Sequence, residues 1–237
     1  MINNPKTFGI AILAGILPAL VWLWFWLRED EKKTEPRGVL FMCFVIGMIS
    51  VVFVLPIEQF IQSHVSNSTY QIISWAGAEE IIKYIAVLLI IGRTSLIKEP
   101  KDWAIYLITG ALGFAALENV LFLVKPLSLD HATVNLLTTQ LRFLGSTLLH
   151  AVSSGLIGIS LGLCFYMNYF AKKIYFIFGI LMAITLHSAF NFFIMDSSNN
   201  FLKVFGFLWV VTIINILLIE KLRRMSDEYK FRLKKIN

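Results

Sequence analysis

Long apolar stretches separated by short polar connections run through the whole chain. Each stretch has about 20 residues, the length that an α-helix needs to cross the hydrocarbon core of a bilayer. The pattern predicts an all-α fold, a polytopic transmembrane helix bundle of about seven spans in one integral membrane domain over residues 1–237. The predicted spans lie near 8–27, 38–57, 71–92, 103–124, 140–163, 174–195 and 201–219, and the longest connections are 58–70 and 125–139.

The composition supports lipid as the solvent for most of the chain. Hydrophobic residues make up 57% of the sequence and charged residues only 15%, whereas a soluble domain of this size carries about 25% charged residues. Cys43 and Cys164 both fall within predicted spans and have no C-x-x-C spacing. We therefore expect neither a disulfide framework nor a thiolate metal site.

The net charge of +6 is distributed as a membrane topology signal. Most basic residues follow the first, third, fifth and seventh spans, namely Arg28, Lys32, Lys33, Arg37, Arg93, Lys98, Lys101, Lys172, Lys173 and those from Lys221 to Lys235. The opposite side holds only Lys6, Lys125, Arg142 and Lys203. The positive-inside rule therefore predicts an outer N-terminus and a cytoplasmic C-terminus, with residues 220–237 as a basic tail. The partner implied by this charge is the lipid bilayer, and no nucleic acid is expected.

Ionisable side chains inside the spans are the strongest functional signal. Each costs about 2.5–3.5 kcal/mol at the centre of a membrane helix, so it rarely persists without a partner or a function. Those found are Glu79, Glu80, Lys83, Glu118, His150 and His187, with the polar Asn119 and Asn191 beside them. They occur only in the third to sixth spans, so residues 71–195 form the expected catalytic core.

Spacing and depth predict that these side chains meet. Glu79 and Lys83 are four residues apart on one helix, as are His187 and Asn191, so each pair shares a face. At 1.5 Å per residue, the Glu and His residues of all four helices lie about 10–13 Å below the outer ends of their spans. One common level in the outer half of the bilayer predicts a single site.

Carboxylates and imidazoles at one level are typical of hydrolysis. A carboxylate can activate water directly, or a metal held by His and Glu can do so. Buried Glu, His and Lys also build proton and ion pathways, so a proton- or ion-coupled transporter is the alternative function. A non-catalytic membrane scaffold is a third possibility. We find no repeated halves of the kind that many transporters have.

Four motifs on successive spans resemble the PrsW family of bacterial membrane proteases, within the superfamily of CAAX prenyl proteases and CPBP (Abi-type) proteins. They are Glu79-Glu80-x-x-Lys83, Phe114-x-x-x-Glu118-Asn119, His150 and His187-x-x-x-Asn191. The CAAX and CPBP branches carry His where this chain has Glu118, and the PrsW branch carries Glu. The resemblance is therefore closer to PrsW, and prenylated substrates are not expected.

The resemblance implies an endopeptidase of the bacterial plasma membrane that makes a site-1 cut in a membrane-spanning or membrane-proximal protein such as an anti-sigma factor. It implies catalytic Glu79, Glu80, His150, His187 and Asn191, with Lys83, Glu118 and Asn119 in support. Whether water is activated by Glu alone or by a bound metal stays open. If zinc is bound, Glu80, His150 and His187 are the expected ligands, with a fourth position open to water.

Overall fold

The computed structural model describes residues 5–29, 35–92, 96–127, 136–195 and 201–236, and those residues form seven α-helices and no strand. The helices are α1 (Pro5–Glu29), α2 (Arg37–His64), α3 (Ser68–Ile91), α4 (Asp102–Leu127), α5 (Leu136–Leu163), α6 (Tyr169–Met195) and α7 (Phe201–Ile236). The predictions of an all-α fold and of about seven helices are confirmed.

Six of these helices, all but α3, are long and apolar enough to cross a membrane. The exception follows from sequence, because Glu79, Glu80 and Lys83 interrupt the apolar run of α3. Large hydrophobic side chains such as Phe53 and Phe178 face outward, where lipid rather than water surrounds the bundle. The chain is therefore a multi-pass membrane protein. The orientation of its termini remains a prediction of the positive-inside rule.

Helix α2 is longer than the hydropathy pattern predicts. The connection expected at 58–70 is wrong in its first part, because α2 continues to His64 and α3 begins at Ser68. The polar residues Glu58 and Gln62 end the apolar run in the sequence, but they line a cavity of the helix bundle. Polarity at these positions therefore marks the cavity wall and not the end of a helix.

Helix α7 extends well into the segment predicted as a basic tail, and reaches Ile236. On its exposed face, Arg223 and Arg224 each pair with Glu220 at 3.1 Å. The connection expected at 125–139 is also shorter, because α4 ends at Leu127 and α5 begins at Leu136. Residues 128–135 of that connection lie outside the described residues.

Helices α4 and α5 form the centre of the bundle. Most of their spans are buried by protein, whereas α1, α2, α6 and α7 leave most of theirs exposed. Glycine permits the closest approach, between α2 and α4: a Cβ on Gly113 would overlap the carbonyl oxygen of Phe44, and one on Gly47 would overlap that of Gly110. Small residues allow such backbone contact between membrane helices.

Five helices close a ring around the cavity. In the order α2, α3, α6, α5 and α4, each helix contacts the next, and α4 returns to α2. Helix α1 packs against α4 and α5, and α7 packs against α5 and α6. The polar residues predicted on α3 to α6 therefore all belong to helices that surround one space.

A second buried polar group supports the N-terminus of α4. Asp102 accepts hydrogen bonds from the backbone N–H groups of Lys98 at 2.7 Å and Glu99 at 2.8 Å. Lys101 was counted above among the basic residues of the loops between spans. It is 1% exposed and pairs with Glu35 at 3.2 Å. These contacts fix the segment before α4 at the end of the bundle away from the cavity.

Candidate active site

Helix α3 brings two carboxylates and one ammonium into the interior within a little more than one turn. Lys83 Nζ donates hydrogen bonds to Glu79 Oε2 at 3.2 Å and to Glu80 Oε1 at 2.9 Å. All three side chains are at most 5% exposed. The shared lysine is the arrangement that the i, i+3 and i, i+4 spacings predict, and it compensates charges that would otherwise be very costly to bury.

His150 on α5 connects Lys83 to α4. Its Nδ1 accepts from Lys83 Nζ at 2.6 Å, and its Nε2–H donates to Glu118 Oε2 at 2.7 Å. The partners assign this tautomer, since an ammonium can only donate and a carboxylate can only accept. His150 is 2% exposed, whereas 37% of the Glu118 side chain is exposed. Glu118 therefore fixes the orientation of the imidazole from the open side of the site.

His187 on α6 is held by a carboxylate through Nδ1, whereas His150 is held through Nε2. Its Nδ1–H donates to Glu80 Oε1 at 2.8 Å, which leaves the lone pair of Nε2 directed towards Glu79 Oε2, 3.7 Å away. The rings of His187 and His150 meet edge to face, with centroids 5.0 Å apart. A carboxylate behind a histidine is the arrangement that holds metal-binding imidazoles in many proteins.

The carboxylate of Glu80 is fully enclosed, and two serines of α5 complete its hydrogen bonding. Ser153 Oγ donates to Glu80 Oε1 at 3.0 Å and Ser154 Oγ donates to Oε2 at 2.7 Å. Sequence reasoning assigned neither serine to the site. Ser154 lies four residues after His150, and that spacing was the available signal. Because both oxygens of Glu80 are occupied within the protein, its geometry suits positioning more than direct contact with a substrate.

Three groups could hold a metal ion, namely Glu79, His150 and His187, with ligand atoms that all lie within 4.8 Å of one another. The sequence hypothesis chose Glu80 as the carboxylate ligand, but Glu80 lies behind His187 and is not in this group. Glu79 Oε2 is 3.8 Å from His150 Nδ1 and 3.7 Å from His187 Nε2. Ligands at zinc bond lengths of ~2.0–2.2 Å are about 3.3–3.6 Å apart, so these two distances are close to those of a zinc site.

Lys83 supplies positive charge to the same group of donors. Its Nζ contacts His150 Nδ1 and Glu79 Oε2, which are two of the three candidate ligand atoms. Metal binding through His150 Nδ1 therefore requires Lys83 to withdraw from that nitrogen. Once Lys83 has moved away from His150 Nδ1, the donor set of one carboxylate and two histidines fits a catalytic zinc site.

The two predicted asparagines lie in different environments. Asn119 is 2% exposed and donates through Nδ2 to Thr147 Oγ1 at 2.9 Å, so it links α4 to α5. Asn191 is half-buried, and both asparagines are among the residues that line the cavity. Because the amide of Asn119 already donates to Thr147, Asn191, one turn after His187, is the better placed of the two to donate to a substrate oxygen.

These groups open onto a cavity of about 490 Å³. Its wall includes Glu79, Glu118, His150 and His187, and also residues that sequence reasoning did not assign, namely Glu58, Gln59, Gln62, Trp75, Ser146 and Phe190. The residues of α2 were missed because 58–70 was predicted as a connection. A cavity of this size is within the range of ligand-binding pockets, about 300–1,000 Å³.

Comparison with known proteins identifies the family. The chain matches the family model described as PrsW family intramembrane metalloprotease over residues 35–219. It is 24% identical over 204 residues to Protease PrsW of Bacillus subtilis (strain 168), and the aligned residues cover 84% of this chain and 90% of that protein. It is 27% identical over 207 residues to Protease PrsW of Oceanobacillus iheyensis, covering 84% and 91%.

A further match, to Protease PrsW of Geobacillus kaustophilus, is 29% identical over 115 residues, and spans about half of each protein, 47% of this chain and 51% of the relative. No solved structure matches the chain. The family match over residues 35–219 includes the whole ring of helices and every residue of the polar cluster.

Proposed function

The chain belongs to the PrsW family of intramembrane metalloproteases, and from this premise we propose how its buried cluster hydrolyses a peptide bond. The observation that carries the proposal is the convergence of Glu79, His150 and His187 on one point at the wall of the cavity. A membrane peptidase needs an activated water and groups that stabilise the developing oxyanion. The cluster supplies residues for both tasks.

In this proposal Glu79, His150 and His187 hold a metal ion, for which zinc is the best candidate by donor type. When bound, such an ion makes water nucleophilic at neutral pH and polarises the scissile carbonyl group. Glu80 keeps His187 in the tautomer whose Nε2 carries a lone pair, and Glu118 keeps His150 in the tautomer whose Nδ1 carries a lone pair. These two carboxylates therefore act through the histidines and are positioning residues.

The cavity-facing groups have the more direct roles. Glu79 is the carboxylate that lies both in the candidate metal group and on the cavity wall, so it is the one that a water molecule reaches. The side-chain amide of Asn191 can donate a hydrogen bond to the substrate oxygen on which negative charge develops. A mechanism without metal would use Glu79 as the general base, and the Lys83 ammonium would stabilise the carboxylate form of Glu79.

We propose a membrane-spanning or membrane-proximal protein as substrate, with an anti-sigma factor as the specific candidate. In the orientation that the positive-inside rule predicts, the end of α2 that lines the cavity lies at the extracytoplasmic face of a bacterial plasma membrane. The substrate would then be cut near that face, in a segment that can enter in extended form. The motifs on α3 to α6 also support kinship with the CAAX and CPBP proteins.

The transporter alternative explains the geometry less well. A pathway requires polar groups in succession across the bilayer, whereas those on α3 to α6 gather in one cluster linked by contacts of 2.6–3.2 Å. Reconstituted protein should give no pH-gradient-driven flux that depends on Glu79.

The proposed function is tested with purified protein and a membrane-tethered reporter. Wild-type protein should cut the reporter, and Glu79→Gln and His187→Ala should each abolish cleavage at unchanged expression. His64→Ala is the matched control, because His64 is exposed at the end of α2 and lies outside the cluster. Full activity in the Glu79 and His187 variants would remove these residues from the mechanism. Chelation followed by re-addition of zinc decides whether metal is required.

A further inference from the structure

The cavity has a polar wall contributed by the last two turns of α2. Leu55, Glu58, Gln59 and Gln62 all line it, and their spacing of three, four and seven residues puts them on one face of the helix. This helix is otherwise the most apolar of the six candidate spans. Polar side chains on the one face of α2 that borders the cavity point to a function inside that cavity.

The position of Glu58 relative to the catalytic cluster is defined by its neighbours. Its side chain lines the same cavity as Glu79 and Glu118. Trp75 Nε1 donates to the backbone oxygen of Glu58 at 3.2 Å, which ties this turn of α2 to α3. Glu58 therefore shares the cavity wall with the proposed catalytic groups.

The cavity wall carries acidic side chains and no basic ones. Three of the described residues that line it are glutamates, Glu58, Glu79 and Glu118, and none is Lys or Arg. Lys83 is not part of this wall and pairs with Glu79 and with the fully buried Glu80. A positive group that enters the cavity therefore meets carboxyl groups and no competing cation on the described wall.

We propose that this face of α2 is the substrate-recognition wall and that Glu58 binds a lysine or arginine side chain next to the scissile bond. The inference rests on the proposed function, because it assigns the substrate preference of that same site. Gln59 and Gln62 each carry an amide that both donates and accepts, so they suit the alternating N–H and C=O groups of an extended peptide. The substrate class is thus a membrane-tethered protein with a basic residue beside the cut.

The experiment uses the full-length protein and one tethered reporter whose cleavage position has been mapped by mass spectrometry. Each residue within four positions of the cut is replaced in turn by Lys, Gln and Glu, and kcat/KM is measured for every reporter. We expect one position at which Lys exceeds Gln by about tenfold, the size of a partly buried charge interaction. Glu at that position should be cut more slowly than Gln.

Variants of Glu58 then identify the residue that reads this charge. Glu58→Gln should bring the Lys and Glu reporters to within about twofold of each other, and Glu58→Lys should invert the order so that Glu is preferred. Glu220→Gln is the control, because it removes a carboxylate from the exposed part of α7 and should keep the wild-type order. Inversion is a change that a purely structural role of Glu58 does not produce.

Two results would overturn the inference while leaving the proposed function intact. One is wild-type cleavage that does not depend on charge at any position. The other is a Glu58→Gln variant that keeps the wild-type order or slows all reporters by one common factor. A wild-type protein that cuts no reporter would overturn the proposed function and the inference together, so the two failures are distinguishable.

Discussion

Replacing Glu80 with glutamine keeps the shape of the side chain and removes its negative charge. The Oε1 atom of Glu80 accepts hydrogen bonds from Lys83 at 2.9 Å, Ser153 at 3.0 Å and His187 at 2.8 Å. The Oε2 atom accepts from Ser154 at 2.7 Å. In the glutamine, an amide oxygen in the place of Oε1 can still accept these hydrogen bonds. The Ser154 hydroxyl can turn to accept from the amide N–H that replaces Oε2. The substitution therefore removes charge more than it removes hydrogen bonds.

The magnitude follows from those contacts. Hydrogen bonds to charged groups contribute about 1.5–3 kcal/mol each and are about twice as strong as neutral ones. Weakening the bonds from Lys83 and His187 by half costs ~1.5–3 kcal/mol in total. Removing one partner of a buried ion pair costs about 3–5 kcal/mol, but Lys83 retains Glu79. We expect Glu80→Gln to lower the free energy of unfolding by ~2–4 kcal/mol and to weaken metal binding by about 10–100-fold.

Two assays measure these effects on detergent-solubilised protein. Unfolding can be followed with a thiol-reactive fluorophore, because Cys43 and Cys164 are free and buried in the folded protein. Metal affinity is measured by competition with a chromophoric chelator. Glu79→Gln is the informative comparison: Glu79 makes the longer, 3.2 Å contact with Lys83 and faces the cavity. We expect it to cost less stability than Glu80→Gln while abolishing cleavage.

A Glu80→Gln protein with wild-type stability and metal affinity would refute the reasoning, because the enclosed carboxylate would then neither balance Lys83 nor orient His187. A larger loss of stability in Glu79→Gln than in Glu80→Gln would mean that the roles of the two glutamates are exchanged.

Three further predictions concern the metal, the ammonium and the helix packing. Bound zinc, measured by elemental analysis, should be about one ion per chain in the wild type and should be lost in His150→Ala, because one of three protein ligands disappears; unchanged stoichiometry would contradict the assignment. Lys83→Met should destabilise the protein by about 3–5 kcal/mol in the thiol assay, since buried carboxylates lose their partner; a stable variant would show that they are not ionised together. Gly113→Ala should lower the free energy of unfolding by ~1–3 kcal/mol, because the added methyl group overlaps the backbone of Phe44. Unaltered thermal unfolding would contradict the close contact of α2 with α4.

The cluster could be located from sequence because lipid makes its members conspicuous. Glu79, Glu80, Lys83, His150 and His187 lie in otherwise apolar runs, and a charge in hydrocarbon is too costly to occur often without purpose. Helix periodicity then predicted the Glu–Lys contacts within α3, and the common depth predicted that four helices would meet. The contacts of 2.6–3.2 Å among these residues agree with both predictions.

The division of roles between the two glutamates was not predictable from their spacing. Glu79 and Glu80 are neighbours in sequence, and either could serve as the ligand or the base. Their orientations differ because successive residues of a helix point about 100° apart. As a result, Glu80 faces Ser153 and Ser154 of α5, whereas Glu79 faces the cavity.

The recognition wall was missed for a related reason. Glu58 ends an apolar run, and hydropathy cannot distinguish a polar residue that leaves the bilayer from one that faces a water-filled space within the bundle. The structure distinguishes the two cases, because α2 continues to His64, is tied to α3 by hydrogen bonds from Trp75 and Gln71, and brings Glu58 to the cavity wall.

The helix bundle and the ionisable residues inside it could be predicted from the amino-acid sequence, because the cost of burying charge in lipid is a local property of each segment. Which atoms face one another required the folded structure: Glu79 joins His150 and His187, Glu80 supports them from behind, and α2 lines the cavity. Those outcomes depend on the rotation of each helix about its axis, which is set by packing against neighbours distant in sequence.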